Sequence, residues 1–227
     1  IGDRRALKPW LPKDARVVDH GEKLIIPGFV DTHIHYAQTD VVASYGTELL
    51  DWLERFAFPA ERAFEDPVHG REVADFFLHE LLRNGTTTAM VFATVHRDSV
   101  DAIFAAAEKS NMRIISGKVM MDRHCPEWLR DTPESSYDDG KALIERWHGH
   151  GRLAYAVTPR FAPTSSEAQL DVCRRLADEH PGVFIQSHLA ENHDEVAWVK
   201  RLFPSARSYL DVYEHFGLLR PRAVYAH

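Results

Sequence analysis

Cysteine is scarce in this sequence, since Cys125 and Cys173 are the only two among 227 residues. They lie far apart in the chain and form neither a disulfide framework nor a Cys-x-x-Cys zinc motif. This composition is typical of a protein from a reducing compartment and excludes a small secreted domain held together by disulfides.

Basic runs and long hydrophobic runs are also missing. Lys and Arg number 27 against 34 Asp and Glu, and the resulting net charge of −7 argues against nucleic acid as a partner. No apolar run approaches the roughly 18 residues of a membrane span, and no signal peptide pattern opens the chain. We therefore expect a cytoplasmic protein with no membrane partner.

Short apolar strands alternate with amphipathic helices along the chain. After a first strand that ends near residue 35, strand patterns occupy five further segments: 86–94, 112–121, 152–161, 182–190 and 222–227. Repetition of strand and helix predicts an α/β fold with a parallel sheet. The chain begins with Ile1 and not with Met, and it ends on the apolar "AVYAH", so we expect both ends to be truncated.

The N-terminal part differs from this pattern. Residues 1–26 contain the strand-like "ARVVDHGEKLII", which we interpret as the remnant of a small N-terminal β-sandwich segment. Residues 27–227 are then the main domain. The apolar run over residues 24–30 predicts that the first strand is buried.

Two helices carry recognisable signals at their N-termini. Asp66 is expected to cap a helix that begins at Pro67 and stops at Gly85. A later helix is expected to begin with the capping box Thr164-x-x-Glu167.

Between the first strand and the helix at Pro67, the aromatic-rich segment 46–66 is longer than an ordinary connection. Such an insert often carries function, and hydrophobic capping of the sheet's end is an equally good interpretation.

His33 and His35 end the first strand, in the stretch "PGFVDTHIHYAQ". Residues i and i+2 of a strand point to the same face, so the two imidazoles form a plausible half of a zinc site. A chain with 14 histidines also produces His-x-His by accident, as in the glycine-flanked His148-Gly149-His150. This stretch alone therefore leaves metal ligands and ordinary core histidines as equal alternatives.

Polar side chains also end three later strands: Arg160 the fourth, His188 the fifth and His227 the sixth. In a (β/α)8 barrel the carboxyl ends of all strands face one mouth, where active sites are built. These distant residues are then expected to form one site, which favours a metal centre over isolated structural histidines.

The motifs "PGFVDTHIH", "SHLAEN" and "YAH" resemble the amidohydrolase superfamily. The stretches "YGTELLDWLERFAFPAE", "TPRFAPTSS" and "QSHLAENHDEV" are similar to its guanine deaminase branch, and the resemblance covers nearly the whole chain. It implies a (β/α)8 TIM-type barrel, here truncated after strand six, that hydrolyses guanine to xanthine and ammonia. Ala37 replaces an expected proline and His124-Cys125 replaces a usual Asn-Ala, so a difference at the pocket rim is expected.

The resemblance implies one Zn²⁺ per chain, with three histidine ligands: His33, His35 and His188. His35 and His188 are also expected to contact the substrate. The family's fourth ligand, an aspartate on strand eight, has no counterpart within six strands. Binuclear relatives use a carboxylated lysine on strand four, whereas Lys118 lies on strand three here, so a single metal is favoured.

The resemblance also assigns roles around the metal. Glu191 is implied to contact the substrate and carry its proton, and His227 to orient the attacking water without being a ligand. Arg160, Phe161 and Gln38 are implied to bind the purine, through its C6 oxygen, its ring face and its remaining edge. The residues alone leave purely structural alternatives open: a helix first-turn charge for Glu191, a surface salt bridge for Arg160 and core packing for Phe161.

Two other functions stay open at this point. One is another mononuclear aminohydrolase or chlorohydrolase, acting on a triazine, a cytosine or an adenosine-like ring. The other is a non-catalytic purine-binding scaffold. The family also suggests a homodimer.

Overall fold

A computed structural model describes residues 2–46 and 48–227 of the chain. Ile1 and Thr47, which fall within the predicted segments 1–26 and 46–66, lie outside the described residues. The described strands are Phe29–His35 (β1), Thr86–Phe92 (β2), Arg113–Gly117 (β3), Val119–Met120 (β4), Ala154–Pro159 (β5), Phe184–His188 (β6) and Ala223–Ala226 (β7).

All pairings between these strands are parallel, in the order β1-β2-β3-β5-β6-β7, with β4 paired to β5. Because Lys118 alone separates β3 from β4, these two segments occupy one position, and seven segments fill six positions. Gly117 ends β3 where a Cβ would lie 1.8 Å from the Ala156 carbonyl oxygen, so only glycine fits there. The predicted α/β architecture, six strands of a TIM-type barrel, is confirmed.

Helices connect the strand positions, as βα repetition requires. The described helices are Arg4–Leu7 (α1), Leu49–Trp52 (α2), Phe58–Arg62 (α3), Pro67–Arg83 (α4), Arg97–Ser110 (α5), Pro133–Trp147 (α6), Glu167–Glu179 (α7), His193–Leu202 (α8) and Tyr209–His215 (α9). A π-helical turn over Leu53–Ala57 joins α2 to α3. In the described part of the chain, no helix has both the length and the apolar character needed to cross a bilayer.

A buried polar cluster links four strands beneath the site. The Gln186 amide of β6 donates to the Val91 carbonyl of β2 at 3.1 Å and to the Thr158 hydroxyl of β5 at 3.0 Å. The Ser116 hydroxyl of β3 donates to the same Val91 carbonyl at 2.8 Å. Directed bonds of this kind fix the relative heights of the strands, and therefore the positions at which their carboxyl ends present side chains.

The first strand differs from its prediction. It begins at Phe29, and the apolar residues before it are exposed, with Leu24 at 90% and Ile25 at 81%. The described part of residues 2–28 contains α1, a 3-10 turn over Lys8–Trp10 and no strand. The strand and burial predictions for this region were wrong, because among the described strands β1 pairs only with β2, and no described element covers the residues before it. The division into segments 1–26 and 27–227 stays a prediction.

The cap of α4 is as predicted. The Asp66 carboxylate accepts a hydrogen bond from the Val68 amide at 2.8 Å, and Pro67 is the first helical residue. The helix ends two residues before Gly85, which has a φ of +86° and reverses the chain into β2.

The cap of α7 was predicted wrongly. Thr164 lies in a 3-10 turn, where its hydroxyl donates to the Phe161 carbonyl at 3.2 Å. Ser166 is the N-cap of α7, and its hydroxyl accepts from the Gln169 amide at 3.1 Å. Because Thr164 belongs to the 3-10 turn after β5, it cannot cap α7. Ser166 takes that position, and the helix begins at Glu167.

Candidate active site

The carboxyl ends of β1, β5, β6 and β7 surround a cavity of about 580 Å³. All of the residues predicted for the site line this cavity: His33, His35, Gln38, Arg160, Phe161, His188, Glu191 and His227. Residues from position 33 to position 227 are thus brought to one mouth, as parallel strands of a barrel require.

Four imidazoles form a cluster at the floor of the cavity. The Nε2 atoms of His35 and His188 lie 2.9 Å apart. His33, His188 and His227 each place a ring nitrogen within 4.8 Å of those of the other two. The ring of His35 stacks on buried Phe92, with centroids 4.5 Å apart, which fixes the plane of the imidazole.

A backbone hydrogen bond sets the tautomer of His188. Its Nδ1 lies 2.8 Å from the Arg160 carbonyl oxygen, which can only accept, so Nδ1 carries the proton. The Nε2 lone pair of neutral His188 therefore points toward His35. A second bond to the same carbonyl, from the His188 amide at 3.1 Å, holds the residue at the end of β6. Orientation by a backbone carbonyl is typical of metal-binding histidines.

The surroundings keep three of the imidazoles, those of His33, His35 and His188, neutral. Burial lowers the pKa of His35 well below its ordinary value, and His188 and Arg160 lower it further. Burial followed by Arg160 does the same to His188. Burial and neighbouring His227 lower the pKa of His33 to about 4. Neutral imidazole is the form that binds metals, so the electrostatics at pH 7 favour ligation.

The cluster fits a nitrogen-binding metal such as Zn²⁺. Two imidazole nitrogens on one tetrahedral zinc lie about 3.3 Å apart, and the separations here, from 2.9 Å up to 4.8 Å, bracket that distance. The geometry and the sequence agree on His33 and His188 as ligands but differ on the third one. The compact group of three contains His227 and leaves out His35, whereas the sequence predicts His35 as a ligand and His227 as a neighbour.

Glu191 and His227 lie close together in the cavity lining. Glu191 Oε2 lies 3.6 Å from His227 Nε2. Burial raises the pKa of Glu191 above its ordinary value, and the nearby His227 opposes that rise. A carboxyl with a raised pKa exchanges protons more readily near neutral pH, as a general acid and base must.

The backbone that carries Glu191 is anchored by a buried carboxylate. Glu195 Oε2 accepts from the Glu191 amide at 3.0 Å, and Glu195 Oε1 accepts from the Tyr209 hydroxyl at 2.6 Å. Helix α8 begins at His193, with Asn192 as its N-cap, so Glu191 lies ahead of the helix. The interpretation of Glu191 as a first-turn charge is wrong, because the chain turns at Ala190, with a φ of +59°, before α8 starts.

Three further residues define the walls of the cavity. Arg160 is only 2% exposed, and its Nη1 donates to both carboxylate oxygens of Glu61, so the surface salt bridge alternative is wrong. Phe161 lines the cavity and also belongs to a buried cluster with Leu53, so it both faces the site and packs in the core. Gln38 is presented by the 3-10 turn Tyr36–Val41 that follows β1.

The insert 46–66 contributes more than the sequence reveals. Five of its residues line the cavity: Gly46, Glu48, Leu49, Trp52 and Leu53. The insert thus forms one wall of the cavity. That it takes part in function stays a prediction. Glu61 was missed, because a single carboxylate in an apolar stretch gives no sign of a partner 99 residues away.

The other positions singled out in the sequence lie away from the cavity. Lys118 is buried in an ion pair with Asp131. His124 packs against Trp198, with ring centroids 5.2 Å apart, and Trp198 in turn contacts Phe161. The family departure at His124 therefore reaches the cavity wall only indirectly.

Residues 24–227, which include the barrel strands and the histidine cluster, match the model of the amidohydrolase family. The chain belongs to that family. It is 56% identical to guanine deaminase of Escherichia coli (strain K12) over 220 residues, which cover 97% of this chain and 50% of that protein.

Solved structures of guanine deaminases are also similar to this chain. The structure of E. coli guanine deaminase matches with a TM-score of 0.97 at 55% identity, covering 100% of this chain and 52% of the other. Guanine deaminase from C. acetobutylicum with guanine bound in the active site matches with a TM-score of 0.91 at 33% identity, covering 96% and 53%. The chain spans about half the length of the curated relatives it matches.

Proposed function

We propose that the full-length gene product containing this chain is a zinc-dependent guanine deaminase, which converts guanine and water to xanthine and ammonia. The observation that carries the proposal is the meeting of neutral histidines, a carboxyl of raised pKa and a buried arginine in one cavity. The relatives described above support guanine as the substrate.

We assign one Zn²⁺ per chain to His33, His35 and His188, with His227 outside the ligand set. Bound there, zinc would lower the pKa of its water and so supply hydroxide at neutral pH. The neutral state of the three imidazoles and the fixed tautomer of His188 support this assignment.

Glu191 moves the protons of the reaction. It takes one from the attacking water and delivers it to the ring nitrogen beside C2, while the water oxygen forms a bond to C2. The bond from C2 to the exocyclic nitrogen then breaks, and the amine leaves as ammonia after it takes the remaining proton. His227, 3.6 Å from Glu191, orients the water.

The cavity walls recognise the purine. Arg160 donates to the C6 oxygen, Phe161 packs against the ring and Gln38 bonds to the remaining edge, while His35, His188 and Glu191 contact the reacting side. An arginine suits this task because its planar group offers several donors in fixed directions.

A substrate panel tests the proposal. The zinc-loaded, full-length gene product is assayed against guanine, cytosine and a chlorinated or aminated triazine. We expect xanthine and ammonia in equal amounts from guanine, with the other rings turned over poorly. Turnover of a triazine without activity on guanine would favour the other aminohydrolase or chlorohydrolase, and tight guanine binding without any turnover would favour the scaffold.

A cytoplasmic location and a homodimer stay predictions. Light scattering of the full-length gene product during size-exclusion chromatography measures the oligomeric state, and a dimer mass is the expected result.

A further inference from the structure

A buried ion pair joins the cavity wall to the insert. Glu61 lies in α3 with no exposed surface, and both of its carboxylate oxygens accept from Arg160 Nη1, at 2.7 and 2.8 Å. The guanidinium carbon of Arg160 also lies 5.2 Å from the ring centroid of Phe58, on the same helix. Arg160 is therefore held by α3 as well as by its own strand end.

The geometry leaves part of the guanidinium available. Both contacts with Glu61 fall on Nη1, so the carboxylate occupies one end of the group and leaves the Nε and Nη2 donors to other partners. Arg160 lines the cavity, whereas Glu61 does not. Glu61 thus contacts Arg160 from outside the cavity.

The charge of Arg160 needs such a partner. The guanidinium is almost fully buried and lies close enough to lower the pKa of His35 and His188. A buried cation without a counter-charge either moves toward water or shifts its neighbours, and both changes would displace its donors. An arginine held at one end presents its remaining donors in one plane with little loss of rotamer freedom.

We propose that Glu61 is a positioning residue that orients Arg160, and that it thereby sets the preference of the site for purines with an oxygen at C6. The inference rests on the proposed function, in which Arg160 donates to that oxygen. A purely structural ion pair would stabilise the fold without affecting the choice between purines.

Two unreactive purines separate recognition from stability. Hypoxanthine keeps the C6 oxygen and lacks the leaving amine, whereas unsubstituted purine lacks both. Dissociation constants for each are measured by calorimetry on the zinc-loaded, full-length gene product and on Glu61→Gln. We expect the protein with Glu61 intact to bind hypoxanthine more tightly than unsubstituted purine. In Glu61→Gln the ratio of the two dissociation constants should fall about tenfold, because hypoxanthine binds more weakly. In guanine turnover, KM should rise by a similar factor while kcat changes less.

Asp131→Asn is the matched control, because it removes the carboxylate from the buried Lys118–Asp131 pair outside the cavity. It should lower the melting temperature and leave the purine preference unchanged. If Glu61→Gln does not fold, Glu61→Asp keeps the charge with a shorter reach and should lose part of the preference.

Two results would overturn the inference. An unchanged preference in a folded Glu61→Gln or Glu61→Asp protein would show that the pair is only structural, even if guanine turnover is normal in the unsubstituted protein. Equal binding of the two purines by the unsubstituted protein would instead refute the role of Arg160, and the substrate panel would then show whether guanine deamination fails with it.

Discussion

Burial at the barrel mouth shifts the pKa of two kinds of residue in opposite directions, and in both it favours the neutral form. It lowers the pKa of His35 and His188, so these imidazoles are uncharged at neutral pH and keep a free lone pair. It raises the pKa of Glu191, which brings a carboxyl closer to the pH at which it must both take and give a proton. The same low polarity thus serves both metal ligation and proton transfer.

This division of roles predicts different effects for two substitutions. Glu191→Gln should retain zinc, because it removes a proton carrier and no ligand, while turnover of guanine falls by about 10²-fold or more. His188→Ala should lose zinc as well as activity. Elemental analysis of both purified, full-length variants makes the comparison, and equal zinc content in the two would contradict the assignment.

At the scale of elements, α9 holds the ends of two strands together through one hydroxyl. The Tyr213 hydroxyl donates to the His188 carbonyl at 2.8 Å and accepts from the Ala162 amide at 3.0 Å. It also lies 2.9 Å from the Ser187 hydroxyl. A helix on the outside of the barrel therefore supports both the strand end that bears His188 and the turn after Phe161.

Tyr213→Phe should lower the free energy of unfolding by about 1–3 kcal/mol, because it leaves the buried Ala162 amide without its partner. Tyr45→Phe is the control, since Tyr45 is 81% exposed and its hydroxyl can bond to water. Urea unfolding of the full-length variants measures both changes. A loss of equal size in the two variants would refute this role for the Tyr213 hydroxyl.

The elements also show which features the sequence can predict. The inner strands were found because apolar runs between helices need no further information than the local pattern. The run at residues 24–30 has the same pattern, but burial depends on a covering element that a local pattern does not contain. In "TSSE" any of three hydroxyl residues could cap the helix. Ser166 is the N-cap because the 3-10 turn after β5 already contains Thr164.

The sequence predicts which residues form the site but not all of the contacts between them. Residues at strand ends converge by topology, so His33, His188 and their neighbours could be grouped from the sequence alone. The pairing of Glu61 with Arg160 depends on how the insert folds over the mouth, and no periodicity encodes that approach.

At the scale of the whole molecule, the described sheet ends in β1 on one side and in β7 on the other. Among the described strands, β1 pairs only with β2 and β7 only with β6. Exposed apolar residues lie along and before β1, with Ile26 at 60% and Val30 at 63% exposed. Unpaired edges of this kind offer backbone groups and apolar surface to other chains.

The 227-residue chain produced alone should therefore self-associate and lack guanine deaminase activity. Light scattering and a xanthine assay, run beside the full-length gene product at equal concentration, test this expectation. A monomeric, soluble 227-residue protein that deaminates guanine would contradict it.

The central claim is that the histidines of the mouth hold the metal on which guanine deamination depends. The most direct measurement is xanthine formation by the full-length gene product before chelation, after chelation and after zinc is returned. We predict that activity disappears with the metal and returns as zinc approaches one ion per chain. Xanthine formation that survives complete removal of metal, or that fails to return when the histidines are reloaded, would contradict the claim.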